Sequence, residues 1–117
     1  MSKQQKCIDV LTRARWHLLN GWCKRHLAVD ILGEPCTLQK GRSFSLLGAV
    51  WFAVIELYPD DIVEVDRQLR AVFSIYKPSD YNDLGKFNDD CETLYPIFRL
   101  IDKSVEHFEN EERKLCA

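Results

Sequence analysis

Three side chains that can bind zinc lie close together in the first third of the chain: Cys23, His26 and Cys36. His17, a fourth zinc-binding residue type, precedes them. A structural zinc site usually has two close ligand pairs, such as C-x2-C and H-x3-H. Only one close pair is present here, and in a strand Cys23 and His26 would point to opposite faces. The sequence therefore predicts no metal site and no bound cofactor.

The same segment raises the question of a cysteine nucleophile. Cys23 would need a histidine base within hydrogen-bond reach, and that base would need a group that orients it. The candidate set is His26 or His17 as base with Asp30 as orienter. Nothing in the pattern indicates an oxyanion hole or an activated thiolate, and the Walker A, GxGxxG, HExxH and GxSxG motifs are absent. We therefore predict no enzymatic activity, with a cysteine-dependent enzyme as the lowest-ranked alternative.

A second polar segment, residues 87–92, holds three carboxylates in the sequence FNDDCE. A calcium loop would need alternating acids, a central glycine and a glutamate at its twelfth position, and this spacing does not match it. Asparagine and aspartate often bond nearby backbone in loops. We therefore expect Asn88 and Asp89 to bond loop backbone and to fix the entry to the last helix.

Basic and aromatic residues in the N-terminal half form the candidate binding surface. The formal net charge of −2 hides an excess of basic residues in residues 1–50, which carry eight Lys and Arg against three acids, and of acids in residues 51–117, eight against fifteen. Such a division can present a basic face. Arginine and tryptophan are common in protein-binding hot spots, and they also contact phosphates and stack on bases. The predicted binding residues are Arg13, Arg15, Trp22, Lys24, Arg25, His26 and Arg42.

The elements that must position these residues follow from hydrophobic periodicity. Residues 5–20 predict an amphipathic helix, and residues 22–29 alternate as a strand with one buried face. Turn residues at 30–35 and a short return strand at 36–38 complete a hairpin. A hairpin of this size is marginal alone, so it must lie against helices.

The rest of the chain predicts three further helices. Residues 44–57, capped by Ser43, are apolar almost all round and indicate a buried helix. A helix from Asp60 or Asp61 to about Tyr76 has one apolar stripe that includes Ile62, and residues 77–90 indicate a loop. The last helix covers about 94–113. The fold class predicted is α+β, mainly α, with four helices and one short hairpin in the order α-β-β-α-α-α, as a single domain 1–117.

Composition agrees with an ordinary globular protein. Hydrophobic residues make up 46% of the 117 and charged residues 29%, which does not fit a disordered chain. We expect no signal peptide, and the longest apolar run, 46–55, is about half of what a membrane span needs. The five cysteines are interpreted as reduced thiols in a cytoplasmic protein with no membrane contact.

An ordered set of residues resembles an uncharacterised family of small actinobacterial and bacteriophage proteins, a domain of unknown function. The set comprises Trp22, Ala28, Asp30, Gly33 and Pro35, then Phe44, Leu47, Gly48 and Ala49, then Phe87, Asn88 and Asp89. Two positions depart from the pattern: Arg25 stands where that family tends to have glycine, and Ser45 where it tends to have cysteine. The resemblance spans roughly residues 8–108 and supplies no mechanism.

These observations predict a small non-enzymatic binding protein. The first hypothesis is a protein-interaction or inhibitor module of the phage or mobile-element type, acting on a host protein or complex; the resemblance and the small size suggest that origin. The alternative is a binder of nucleic acid or of a phosphorylated small molecule through the basic N-terminal face. Self-association of the chain also stays open. The compartment expected is the bacterial cytoplasm, or the host cytoplasm for a phage protein.

Overall fold

The computed structural model describes residues 2–116, and of Cys116 the backbone alone. Within that range the chain forms five α-helices and a two-stranded antiparallel sheet, so the prediction of an α+β, mainly α fold is confirmed. The elements are α1 (Lys3–Asn20), β1 (Ala28–Val29), β2 (Ser43–Phe44), α2 (Leu46–Leu57), α3 (Ile62–Tyr76), α4 (Leu84–Asp90) and α5 (Tyr95–Cys116). Two 3₁₀ turns, Leu38–Lys40 and Pro59–Asp61, precede β2 and α3.

The core lies where α1 packs against α2 on one side and α5 on the other. Fully buried residues of α1 recur at three- and four-residue steps, as an amphipathic helix requires; they are Cys7, Val10, Leu11, Ala14 and Leu18. From α2, Ala49, Val50 and Ala53 face this core, and from α5, Ile97 and Ile101 do so. Helix α3 packs across α2 and α5.

The number of helices is the first correction. Helix α4 occupies residues that the sequence assigns to a loop, because Asn82, Asp83 and Gly85 are typical turn formers. Asp83 in fact caps this helix, since its Oδ1 accepts a hydrogen bond of 2.7 Å from the backbone N–H of Gly85. Leu84 and Phe87 are buried on one face. Tertiary burial therefore selects a helix of seven residues that local propensity alone does not indicate.

The hairpin is the second correction. Ala28 pairs with Phe44 and Val29 with Ser43, so the strand that pairs with β1 is Ser43–Phe44. The predicted return at 36–38 forms no strand, although Val29 makes an isolated antiparallel bridge with Pro35 and the N–H of Cys36 donates to the carbonyl of Ala28 at 3.3 Å. The cause is the position of the helix cap. Ser45, and not Ser43, caps α2, because its hydroxyl accepts the N–H of Gly48 at 3.1 Å. Residues 43–44 are thereby left extended and free to pair with β1.

Gly48 lets the hairpin approach the start of α2. A β-carbon at this position would lie 1.9 Å from the carbonyl oxygen of Leu27, which is far inside van der Waals contact. The same carbonyl accepts the N–H of Ser45 at 3.2 Å. The chain leading into β1 is therefore held directly against the N-terminus of α2.

Candidate functional site

A buried asparagine joins three parts of the chain. Asn88, in α4, is only 1% exposed. Its Oδ1 accepts the Trp22 Nε1–H at 2.9 Å and the Leu46 backbone N–H at 3.0 Å. Its Nδ2 donates to the carbonyl oxygen of Cys23 at 3.1 Å and to Oδ1 of Asp89 at 3.2 Å. All four hydrogen-bonding positions of the amide are occupied, so α4, α2 and the chain before β1 are fixed together.

Residues 22–27, which we call the basic loop, take their shape from this junction. Arg25 adopts φ of 71°, and among residues 2–116 no other non-glycine residue has a positive φ. Its backbone N–H donates to Oδ1 of Asp89 at 2.8 Å. A left-handed conformation costs an L-residue about 1–2 kcal/mol, and the carboxylate of Asp89 stabilises it here. The prediction that Asn88 and Asp89 bond loop backbone agrees with these contacts, although the loop they fix precedes β1.

The basic loop places four of the predicted binding residues together. Arg25 and His26 are exposed. Trp22 is half-buried, and the Lys24 ammonium lies 5.2 Å from the centre of its ring. Arg42 is exposed on the adjoining chain before β2, where its N–H donates to the carbonyl of Val29 at 2.8 Å.

The two predicted residues on α1 are engaged elsewhere. The Arg13 guanidinium lies 3.1 Å from a Glu56 carboxylate oxygen, and that of Arg15 lies 3.0 Å from Asp102. Arg15 also lies over the ring of Phe98, 4.2 Å from its centre. Both positive charges therefore face carboxylates from the acidic half of the chain, and the structure does not bring them to the basic loop.

His17 is likewise committed to packing. It is 7% exposed, its Nε2 lies 2.5 Å from Oε1 of Glu56, and its ring contacts those of Phe44 and Phe52. Burial raises the pKa of Glu56, but hydrogen bonds from Arg13 and His17 outweigh it and hold that pKa below its usual range. The ionised carboxylate therefore stabilises the contact between α1 and α2.

The cysteine of the basic loop has the properties of a protonated thiol. Burial, then the carboxylate of Asp89 and then Cys36 raise the pKa of Cys23. Its Sγ lies 3.5 Å from the backbone carbonyl of His26, to which it donates. A nucleophilic cysteine needs the opposite conditions, namely a lowered pKa and a base. The geometry gives no support to the cysteine-dependent alternative.

The chemistry of a shallow cleft beside the loop is mixed. Its volume is about 170 Å³, and its lining consists of Arg25, His26, Leu27, Ser45, Leu47, Gly85 and Asp89. A guanidinium, an imidazole and a carboxylate can each bind a polar group of a partner. The Ser45 hydroxyl already accepts the N–H of Gly48 as the cap of α2, so its role is structural. This arrangement suits recognition of a polar surface.

Two further findings concern metal ions and membranes. In the part of the chain that the structure describes, no group of three or more His, Cys, Asp or Glu side chains is arranged to hold a metal ion. None of the helices described there is both long and apolar enough to cross a membrane.

An apolar groove between α2 and α3 lies outside the sequence prediction. We call it the α2–α3 groove; its volume is about 540 Å³, and it is lined by Leu38, Trp51, Val54, Ile55, Ile62, Val63, Asp66, Arg67 and Arg70. Ile62, expected in the buried stripe of α3, is 41% exposed here, and Val63 is 82% exposed. This surface depends on how α2 and α3 pack against each other, so no local pattern in the sequence indicates it.

Comparison with known proteins returns no match to this chain among family models, curated proteins or solved structures. The resemblance to small actinobacterial and phage proteins stays a prediction. Three of the residues that carry it have physical roles in the structure, because Trp22 donates to Asn88 and Gly48 lies against the backbone of Leu27 in the basic loop.

Proposed function

We propose that the protein is a small non-enzymatic binding module that contacts a protein partner through the basic loop. The observation that carries the proposal is the conformation of Arg25. A strained, left-handed residue persists only where its surroundings fix it, and such residues concentrate at binding and catalytic sites. Here Asn88 and Asp89 hold the backbone of the loop, while the side chains of Arg25 and His26 remain exposed.

The chemistry of the loop favours an acidic partner surface with an apolar contact. Lys24, Arg25 and the nearby Arg42 supply positive charge, and Leu27 is 41% exposed. Cations at the edge of an interface speed association and fix orientation, while a buried apolar contact supplies affinity. A preformed loop also loses little conformational entropy on binding.

A protein partner is favoured over nucleic acid because the positive surface contains few basic residues. A nucleic-acid ligand gains affinity from each phosphate that a cation neutralises. Arg13 and Arg15 already face carboxylates. Of the basic residues predicted to bind a partner, those of the basic loop and Arg42 therefore form the remaining positive surface. A nucleotide or other small phosphorylated ligand is the alternative that this area can accommodate.

The resemblance extends the proposal to the biological setting. It supports a protein-interaction or inhibitor module of the phage or mobile-element type that acts on a host protein or complex. The four cysteines whose side chains are described are free thiols, in keeping with the proposed reducing environment of the bacterial or host cytoplasm.

Affinity capture from an actinobacterial lysate tests the proposal when the wild-type protein is compared with two charge-reversal variants. Immobilised wild-type protein should retain a partner after nuclease treatment. The Lys24→Glu/Arg25→Glu variant should lose it, because both changes alter the basic loop. The matched variant Lys103→Glu/Lys114→Glu carries the same charge change on α5 and should retain it.

Three outcomes separate the alternatives. Release of the captured material by nuclease or by a polyanion, with a steep dependence on salt, would assign a nucleic-acid ligand. Loss of capture in both variants would indicate dependence on net charge alone. Capture that is insensitive to Lys24→Glu/Arg25→Glu would place the contact outside the basic loop and overturn the proposal.

A further inference from the structure

A small cleft lies where the end of α3, helix α4 and the first turns of α5 meet. We call it the α3–α5 cleft; its volume is about 190 Å³. Its floor is apolar, because Phe87 and Leu100 are buried there and Tyr76 is half-buried. Sites that bind small molecules have this character, with an apolar lining and a few polar groups that fix the orientation of the ligand.

The volume of the cleft limits what can enter it. Pockets for drug-sized molecules measure about 300–1,000 Å³, which is larger than this cleft. A cavity of about 150 Å³ holds one benzene molecule. The α3–α5 cleft therefore has room for a single ring with a small substituent.

The side chains around the cleft favour an aromatic ring. Tyr76, Phe87 and Tyr95 all line it, and aromatic rings pack well against one another in offset or edge-to-face arrangements. The Tyr76 hydroxyl lies 2.9 Å from Nδ1 of His107, with which it shares a hydrogen bond. Tyr76 therefore offers its ring to the cleft, since its polar atom is already engaged.

Two cations stand at the edge of the cleft, one helical turn apart on α5. Arg99 and Lys103 both line it, and both are exposed. Residues four positions apart share a helix face, and like charges at that spacing repel each other. Within residues 2–116 neither side chain forms an ion pair with a carboxylate. An anion bound between them would relieve this repulsion.

Other arginines of the protein are neutralised, and Arg99 is not. Arg13, Arg67 and Arg70 each lie within 3.1 Å of a carboxylate oxygen. Arg99 instead donates from Nη1 to the hydroxyl of Tyr95 at 3.1 Å. That neutral acceptor orients the guanidinium and leaves its charge uncompensated.

The surroundings of the cleft define where an anionic group is favoured. Among the described residues no aspartate or glutamate lines the cleft, although residues 51–117 carry fifteen acids against eight Lys and Arg. Asp90 and Glu92 line a separate hollow that shares only Phe87 and Pro96 with the cleft. The α5 edge of the cleft is therefore positive, and the acids beyond Pro96 disfavour a negative group on that side.

We propose that the α3–α5 cleft binds a small aromatic anion, namely a single ring that carries a carboxylate or a phosphate. The ring packs against Tyr76, Phe87 and Leu100, and the anionic group lies between Arg99 and Lys103. A guanidinium binds such a group through two parallel N–H donors, and an ammonium attracts it as a point charge. No residue of the basic loop lines the cleft, so the two sites can be occupied independently.

Titrations followed by ¹H–¹⁵N NMR at about 150 mM salt test this proposal. The probes are phenylacetate and phenyl phosphate. At least one of them should shift the amide signals of cleft residues with a Kd of about 1 mM or below, which is attainable for a ligand of about ten heavy atoms. The ring protons of that probe should show nuclear Overhauser contacts to Phe87 and Leu100. The probe that binds more tightly identifies the anionic group that the cleft prefers.

Two further ligands separate the ring from the charge. Phenylacetamide has the shape of phenylacetate without its charge, and acetate has the charge without the ring. Each should bind at least about tenfold more weakly than phenylacetate, because one lacks the two ion pairs and the other lacks the buried apolar surface.

Neutral substitutions test the two cations. Arg99→Gln and Lys103→Gln should each raise the Kd for phenylacetate about two- to fivefold, as exposed ion pairs do, and the double variant should raise it about tenfold. Arg113→Gln/Lys114→Gln removes the same charge from the exposed end of α5 and should bind as the wild type does. All four side chains are exposed, so thermal midpoints should stay near that of the wild type.

Each contrary result overturns the proposal in a different way. Cleft signals that do not move at about 10 mM of either probe, tenfold above the expected Kd, would exclude the site. Equal affinity for phenylacetamide would mean that the cleft does not recognise the anion. An equal loss in Arg113→Gln/Lys114→Gln would indicate dependence on net charge alone.

A last comparison separates this proposal from the one for the basic loop. Lys24→Glu/Arg25→Glu should bind phenylacetate as the wild type does, although it loses the captured partner. Signal shifts that are confined to residues 22–27 and vanish in this variant would assign the anion to the basic loop and overturn the proposal for the cleft.

Discussion

Replacing Asn88 by alanine should unfold the junction beneath the basic loop before it affects the helical core. The buried N–H of Leu46 would lose its acceptor, which costs about 1–3 kcal/mol. Trp22 and Cys23 are half-buried, so water can replace their bonds and each contributes about 0.5–1 kcal/mol. Lost packing adds about 1 kcal/mol. The total, about 3–6 kcal/mol, is a large part of the 5–15 kcal/mol that usually stabilises a domain.

Urea unfolding followed by tryptophan fluorescence measures this loss directly. Asn82→Ala is the matched control, because Asn82 is an exposed residue of the loop before α4 and its replacement should change stability by less than about 0.5 kcal/mol. A loss below about 1 kcal/mol for Asn88→Ala, or one equal to that of the control, would refute the assigned role of the amide.

Three further substitutions test other contacts. Arg25→Gly should stabilise the fold by about 0.5–1 kcal/mol, because relief of the left-handed strain exceeds the added chain entropy of glycine. Arg42→Gly is the control and should destabilise the fold. Equal effects of the two substitutions in thermal unfolding would count against strain at Arg25. Gly48→Ala should cost about 2–3 kcal/mol or more, since the new β-carbon meets the carbonyl of Leu27; an unchanged thermal midpoint would contradict that close approach. The lowered pKa of Glu56 means that its carboxylate stabilises the fold above the unfolded pKa of about 4.3 and ceases to as pH falls through the lower folded value. Glu56→Gln should therefore reduce stability at pH 7 and lose its effect as the pH falls through the lowered pKa of the folded state. A deficit in stability that is independent of pH would exclude the charge as its cause.

The long helices were predictable because their apolar stripes are long enough to show the helical period of the sequence. The stripe of α3 at Val65, Leu69, Val72 and Phe73 is buried as expected. Helix α4 was not predictable in the same way, because seven residues span barely two turns and its ends carry turn-forming side chains. The hairpin itself was predicted, but its return strand was misplaced because Ser43 and Ser45 are equally good helix caps by composition. Choosing Ser43 assigned Phe44 to the helix instead of to β2.

The candidate site was only partly predictable. Residues adjacent in sequence, such as Lys24, Arg25 and His26, share a loop wherever that loop lies. The ion-pair partners of Arg13 and Arg15 could not be predicted from the sequence. Glu56 and Asp102 lie 43 and 87 positions away, and pairing across such separations depends on helix packing. The α2–α3 groove is a property of two helices together, so no single periodicity indicates it.

The junction at Asn88 has a consequence for the order in which the chain folds. Its bonds to Trp22 and Cys23 join residues 66 and 65 positions apart, and such contacts form only after a long loop has closed. Helix formation in α1 and α5 is local and needs no such closure. We therefore expect the basic loop to acquire its shape late, and a brief detachment of α4 to release it while the helical core stays intact. The amide protons of Arg25 and Leu46 should exchange with deuterium together, at the rate of that detachment.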